Sequence, residues 1–263
     1  MVVAAAAAGG GGMIPARIAA GVVAGAGWHA LVQLAGRADG AGLATTLALL
    51  AVLGWALLRA GHGVSSTGLT VTLLALGVAA VSGITLLEII VLVAALGWCA
   101  LGAWRWPPML LALLGVPMLP TLDVLVAGPL RRISAVLTTW LLRGNGIDVS
   151  LEGVALQWQG KQLLFDGPCS GVRMLWALLV LACAAGVIQR MPPARFALLL
   201  AATVIVAVVG NALRAASLFY LEAGFVTAIG GPVAHEAIGL AAFAIVAGGA
   251  VALLARGRVV AWR

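Results

Sequence analysis

Arg195 to Leu221 reads RFALLLAATVIVAVVGNALRAASLFYL, an apolar run in which Arg214 is the one charge after the opening residue. As a helix rising about 1.5 Å per residue it would extend about 40 Å, more than the roughly 30 Å hydrocarbon core of a bilayer. The stretch therefore reads as a membrane span with a cation set inside it. A charge in a span costs on the order of 2.5 to 3.5 kcal/mol on insertion scales and usually serves a function. Asn211, three residues earlier, shares the face of Arg214. A plainer use exists for Arg214 as well: in a helix this long, its guanidinium can reach outward to the lipid headgroups.

The rest of the chain has the same character. Of its 263 residues 63% are hydrophobic and 9% charged, with a mean hydropathy of +1.17, whereas soluble domains run near a quarter charged. A water-soluble enzyme, a coiled coil and a disordered tail are excluded, and the chain is expected to be an all-α polytopic membrane protein. The net charge of +7 would suggest nucleic acid in a soluble protein. Here the bases sit between apolar runs, where orientation signals belong, so no nucleic-acid partner is expected.

Apolar runs come in order at about Ile18–Gly36, Leu43–Leu58, Gly68–Ser82, Ile84–Trp104 and Pro108–Ala127, then Cys169–Ile188, Arg195–Leu221 and Val233–Ala255, about eight spans in all. Residues 1–16, Ala/Gly-rich at the start, read as a disordered leader or a start site assigned too early. Residues 17–127 form an N-terminal five-span bundle, and 169–263 a three-span unit. Between them, 128–168 holds an amphipathic helix from Pro129 to Arg143, expected at the membrane surface. A small β-hairpin follows outside the membrane, in which Ile147, Val149 and Leu151 alternate with polar residues and Gln159-Gly160-Lys161 turns the chain back.

Arg17, Arg59, Arg105, Arg190, Arg195, Arg256, Arg258 and Arg263 fall at alternate span ends. By the positive-inside rule both termini are cytoplasmic, in a multi-pass protein of the cytoplasmic (inner) membrane. Arg131, Arg132 and Arg143 are basic exceptions on the outer side. No internal repeat is evident, which disfavours inverted-repeat transporter folds.

This layout brings Cys169, at the outer end of span six, to the same membrane depth as Arg214 and as His235, which opens span eight. A thiol, an imidazole and a guanidinium are the parts of a cysteine acyl-transfer site: nucleophile, acid/base and fixed cation. Cys169 is expected to begin its helix, where unpaired N–H groups favour thiolate, with Arg173 one turn away on the same face. The same two residues also fit a simple helix start and a snorkelling arginine. His235-Glu236 lacks the second histidine of a zinc-protease helix, since position 239 is Gly. With His29 in span one and His62 in a loop, neither metal nor cofactor is expected. Glu88, Glu222 and Glu236 are the acids able to orient His235, and nothing in the sequence chooses among them. Cys99 and Cys183 lie inside apolar runs and read as inert packing residues.

Three blocks, Pro168-Cys169-Ser170-Gly171-Val172-Arg173, Asn211-Ala212-Leu213-Arg214 and His235-Glu236-Ala237-Ile238-Gly239, stand in that order on consecutive spans. In this the chain resembles the exosortase/archaeosortase family of membrane transpeptidase-like cysteine proteases, with the likeness running roughly from Leu141 to Leu254. The resemblance implies Cys169 as nucleophile, Arg214 as oxyanion or substrate-carboxyl partner and His235 as acid/base, with Arg173, Asn211 and Glu236 in support. It implies exported proteins as partners, each bearing a C-terminal sorting signal: a short motif, one transmembrane helix and a basic tail. An acceptor nucleophile of unknown identity would resolve the acyl-enzyme, and in many bacterial members the work accompanies exopolysaccharide production. Two other functions fit the composition: a polytopic transporter, with Arg214 and Glu88 marking a polar path, and a non-catalytic membrane scaffold of a polysaccharide export system, with the hairpin as its contact surface.

Overall fold

The computed structural model describes residues 12–36, 40–103, 105–116, 119–164 and 170–225, with scattered positions from 237 to 249. The chain is mostly helical and divides into two units, Met1–Pro117 and Met118–Arg263.

In the first unit, α1 (Ala16–Ala26) and α2 (Trp28–Gly36) are followed by α3 (Gly40–Arg59), α4 (Ser66–Val81), α5 (Thr85–Leu101) and α6 (Trp106–Leu114). The run expected as one span from Ile18 to Gly36 is broken at Gly27, where α1 and α2 meet at 70°. The break follows from packing: a Cβ at Gly27 would stand 2.7 Å from Leu92 Cδ1 and 3.2 Å from Leu76 Cδ2. α5 is the centre of this unit, with Ile89, Leu92, Val93, Leu96 and Cys99 buried against α1 to α4 and α6.

Two features of this unit were not expected. Residues Met13–Pro15, placed in a disordered leader by composition, form β1 and pair antiparallel with β2 (Gly63–Ser65), so the leader expected to run through residue 16 is corrected there. Arg17, counted above as an orientation signal, also donates to the carbonyls of Leu57 and Leu58 in the last turn of α3. These are carbonyls of a helix end, where the regular helical donors run out.

The second unit opens with α7 (Leu119–Gly144), one helix that carries Pro129 in its interior. A span ending at Ala127 and a separate surface helix from Pro129 are thereby corrected: α6 ends at Leu114, and α7 continues through the proline. An interior proline costs a helix about 3 kcal/mol, and α7 offsets that by its packing along α9 (Pro193–Glu222). Ser134 meets Asn211, and Leu142 shares a core cluster with Phe219, so contacts advance together along the two helices and both run in the same direction. α8 (Val172–Ile188) returns between them in sequence and packs on both.

α7 ends in a left-handed glycine cap: Gly146 has φ 81°, Ile147 N–H donates to Leu142 O at 3.1 Å and Gly146 N–H to Arg143 O at 2.9 Å. Arg143 then donates from Nε to Val149 O at 2.8 Å, leading the chain into a three-stranded antiparallel meander. Its strands are β3 (Ser150–Glu152), β4 (Ala155–Trp158) and β5 (Lys161–Leu164). The expected turn at Gln159-Gly160 is there, both residues with positive φ, 48° and 75°. A second turn at Gly153 makes the hairpin a meander. Val149 and Leu156 join Ala135, Leu142, Ala216 and Phe219 in one core, which seats the sheet on the C-terminal ends of α7 and α9.

By length and composition Thr121–Gly144 and Pro193–Glu222 can cross a membrane, and α1 with α2 becomes a third candidate if the bent pair counts as one span. Thus two to three candidate spans, among the described residues, stand where eight were expected. Helices such as Ser66–Val81, Thr85–Leu101 and Val172–Ile188 are apolar but reach only about 24 to 26 Å at 1.5 Å per residue. The outer surfaces of α4, α7 and α9 are those of a membrane protein: Val78, Val81, Val124 and Leu198 are each 71% or more exposed.

Candidate functional site

The described part of the site lies where α7, α9 and the N-terminus of α8 meet. Gly171 is the N-cap of α8 with φ 78°, a left-handed conformation that glycine alone adopts without cost. It lies against Asn211: a Cβ built on Gly171 would be 2.7 Å from Asn211 Cγ and 2.9 Å from Nδ2. Only a glycine lets the backbone of the C-S-G-x-R block approach the carboxamide of the N-x-x-R block so closely. Ser170, 2% exposed, adds a side-chain acceptor 3.4 Å from Val172 N, at the end of α8 where N–H groups lack helical partners.

Asn211 is 1% exposed and donates from Nδ2 to Ser134 Oγ at 2.9 Å. Thr138, also buried, lies one turn further along α7; its Oγ1 stands 2.7 Å from Ser134 O and 3.2 Å from Ala212 O. Arg214, one turn beyond Asn211 on α9, is half-buried and engaged. On α7 the residue three before Ser134 is Arg131, whose Nε is shut off from solvent and has no hydrogen-bond partner among the described residues. Arg132 beside it is exposed.

The structure thus brings Gly171 and Asn211 together and leaves Arg214 a turn away. Arg173 is exposed in the first turn of α8. α8 begins at Val172 after the left-handed Gly171, and the expected same-face pairing of Arg173 with Cys169 reaches outside the described residues. Cys169, His235 and Glu236 lie outside the described residues. Cys99 and Cys183 are free and buried. Glu88, 5% exposed, is paired through Oε2 with His29 Nδ1 at 3.1 Å inside the first unit.

Ser134 and Thr138 were not singled out in the sequence, and Arg131 was read there only as a basic exception on the outer side. Their spacing, i, i+3 and i+7, is a polar stripe along one face of α7, overlooked because the same segment was read from its apolar side.

The profile of the transmembrane exosortase family matches residues 11–252, which takes in both units. The chain belongs to the exosortase family. No curated protein and no solved structure matches it. The match extends well before Leu141, so the apolar first half, which offered no motif of its own, is exosortase sequence too.

Proposed function

We propose that this exosortase is a membrane-embedded cysteine protease or transpeptidase that cleaves a C-terminal sorting signal from exported proteins. The observation that supports this reading most directly is the contact of Gly171 with Asn211: it ties the block that contains Cys169 to the block that contains Arg214.

In the proposed reaction the Cys169 thiolate attacks the scissile carbonyl, Arg214 holds the oxyanion, and the C–N bond breaks to leave a thioester. His235 protonates the departing amine and then takes the proton of an acceptor nucleophile, which attacks the thioester and returns the thiolate. Packing of the client's C-terminal helix beside α8 and α9 would deliver the bond to the thiol as an intramolecular reaction. Asn211 and Glu236 support the arginine and the histidine, and Arg173 is a flanking cation.

We place both termini in the cytoplasm of an eight-span protein, with the site at the outer face of the inner membrane. The common direction of α7 and α9 supports this. With α7 as the span that leads outward, the sheet lies outside, α8 returns and α9 leads outward again.

The test is mass spectrometry of membrane proteins from cells carrying the wild-type protein, Cys169→Ala, or Cys183→Ala as control. C-terminal helices retained only when Cys169 is lost are the expected result. An unchanged set of proteins, with clients expressed, would shift the reading to a transporter or scaffold.

A further inference from the structure

We infer that Ser134, on a helix outside the three sequence blocks, is a positioning residue for the nucleophile; the inference rests on the reading of Cys169 given above. Ser134 is fully buried and accepts the hydrogen bond of Asn211 Nδ2. Asn211 has Gly171 pressed against its carboxamide, within 2.7 Å of where a Cβ would stand. Gly171 is the N-cap of α8 and lies two residues after Cys169. The order of contacts is therefore Ser134, Asn211, Gly171, and then the backbone that carries the thiol.

A carboxamide can turn about its last side-chain bond, and the plane it presents to Gly171 is set by what its donors and acceptor find on the other side. Ser134 supplies an acceptor to Nδ2. Without it, that buried N–H loses its bond to the hydroxyl, and the carboxamide is no longer held from the α7 side. Gly171 rests on that carboxamide with no room for a Cβ between them, so a turn of the carboxamide changes the surface on which Gly171 is seated. The start of α8 would move with it, and on the reading above it is the N–H groups of that helix start that favour the Cys169 thiolate.

Thr138 provides the comparison. It is equally buried and joins the same two helices, but its hydroxyl is bound to the carbonyls of Ser134 and Ala212, not to the Asn211 side chain.

The experiment is iodoacetamide labelling of the full-length protein in native membranes across a pH series, with each cysteine quantified by peptide mass spectrometry. Ser134→Ala is expected to move the labelling midpoint of Cys169 upward by about one pH unit, so that it labels about tenfold more slowly below both midpoints. Cys183, buried on α8, should stay protected, which separates repositioning from opening of the bundle. Ser134→Thr, which keeps the hydroxyl, should restore the wild-type profile, and Thr138→Val should not disturb it. Asn211→Ala breaks the link from its other end; it should give the same shift, and the double variant no more.

An unchanged Cys169 profile in both Ser134→Ala and Asn211→Ala overturns the inference. So does an equal shift in Thr138→Val, or labelling of Cys183 in step with the change at Cys169, since either makes Ser134 an ordinary packing residue. Labelling does not depend on cleavage. If client processing is indifferent to Cys169→Ala the proposed function fails, whereas a required Cys169 with a profile indifferent to Ser134 sinks this inference alone.

Discussion

Gly171 and Asn211 approach so closely that a methyl group on the glycine would overlap the carboxamide carbon of the asparagine, at 2.7 Å. Two neighbouring blocks of the sequence motif are thus one packed unit, and two physical terms guard the position. Any side chain at Gly171 meets the strain of φ 78° as well as the overlap. Gly171→Ala is expected to lower stability by about 1 to 3 kcal/mol and to abolish processing. Thermal unfolding in detergent reads the first and client cleavage the second. Asn211→Ala in the same background should recover part of the stability, because it removes the overlap and leaves the strain.

Arg214 lies one turn past Asn211 and is half-buried, which makes its chemistry testable by a charge-conserving change. Lysine keeps the charge and loses the planar fork of donors. If Arg214 holds the oxyanion, Arg214→Lys should reduce client processing by roughly 10²-fold, the scale of losing one oxyanion donor, with the protein still inserted and folded. Pulse-chase of a client would measure this. A fully active lysine variant would mean that Arg214 only reaches toward the headgroups.

Helix ends offer a prediction of the opposite sign. α7 and α9 close through Gly146 and Gly224 at positive φ, 81° and 82°. α8 closes with the same bonds, Met191 N–H to Gly186 O at 3.0 Å and Arg190 N–H to Val187 O at 3.2 Å, but with Arg190 at φ 48°. A left-handed conformation costs an ordinary residue about 1 to 2 kcal/mol, and part of a gain from glycine is lost to chain entropy. Arg190→Gly should therefore raise stability by about 1 kcal/mol in thermal unfolding. A lower unfolding temperature would contradict this account of the turn.

What could be read from sequence was local. The apolar runs, the Gln159-Gly160 turn and each motif block taken singly are patterns within a few residues of one another, and those can be read along the chain. The pairings that shape the molecule are not of that kind. Ser134 meets Asn211 across 77 residues and His29 meets Glu88 across 59, and neither member carries a sign of the other. Pro129 misled for a related reason: its local penalty was visible, while the packing of α7 on α9 that offsets it was not. The kink at Gly27 likewise depends on Leu76 and Leu92, which belong to other helices.

The His29–Glu88 pair leads to an asymmetric expectation. Glu88 is buried in the first turn of α5, and His29 at the start of α2 has a side chain 56% exposed. By the usual rule the buried residue should be the costlier one to change, yet here the consequence lies in what each change leaves behind. His29→Ala strands a buried carboxyl group without its partner, at a cost of about 1 to 3 kcal/mol, more if it stays charged. Glu88→Leu leaves an imidazole that can find other partners at its exposed face, and puts an apolar side chain into an apolar site. His29→Ala should therefore unfold at a lower temperature than Glu88→Leu, and adding Glu88→Leu to His29→Ala should restore much of the loss. On α5, Leu92 packs at the Gly27 bend itself and Glu88, one turn away, holds His29 just beyond it, so the same variants should loosen α2. Protease susceptibility of the segment after Gly36 would report that loosening. If Glu88→Leu proves the more damaging change in both measurements, the carboxylate is needed for itself and not as the partner of His29.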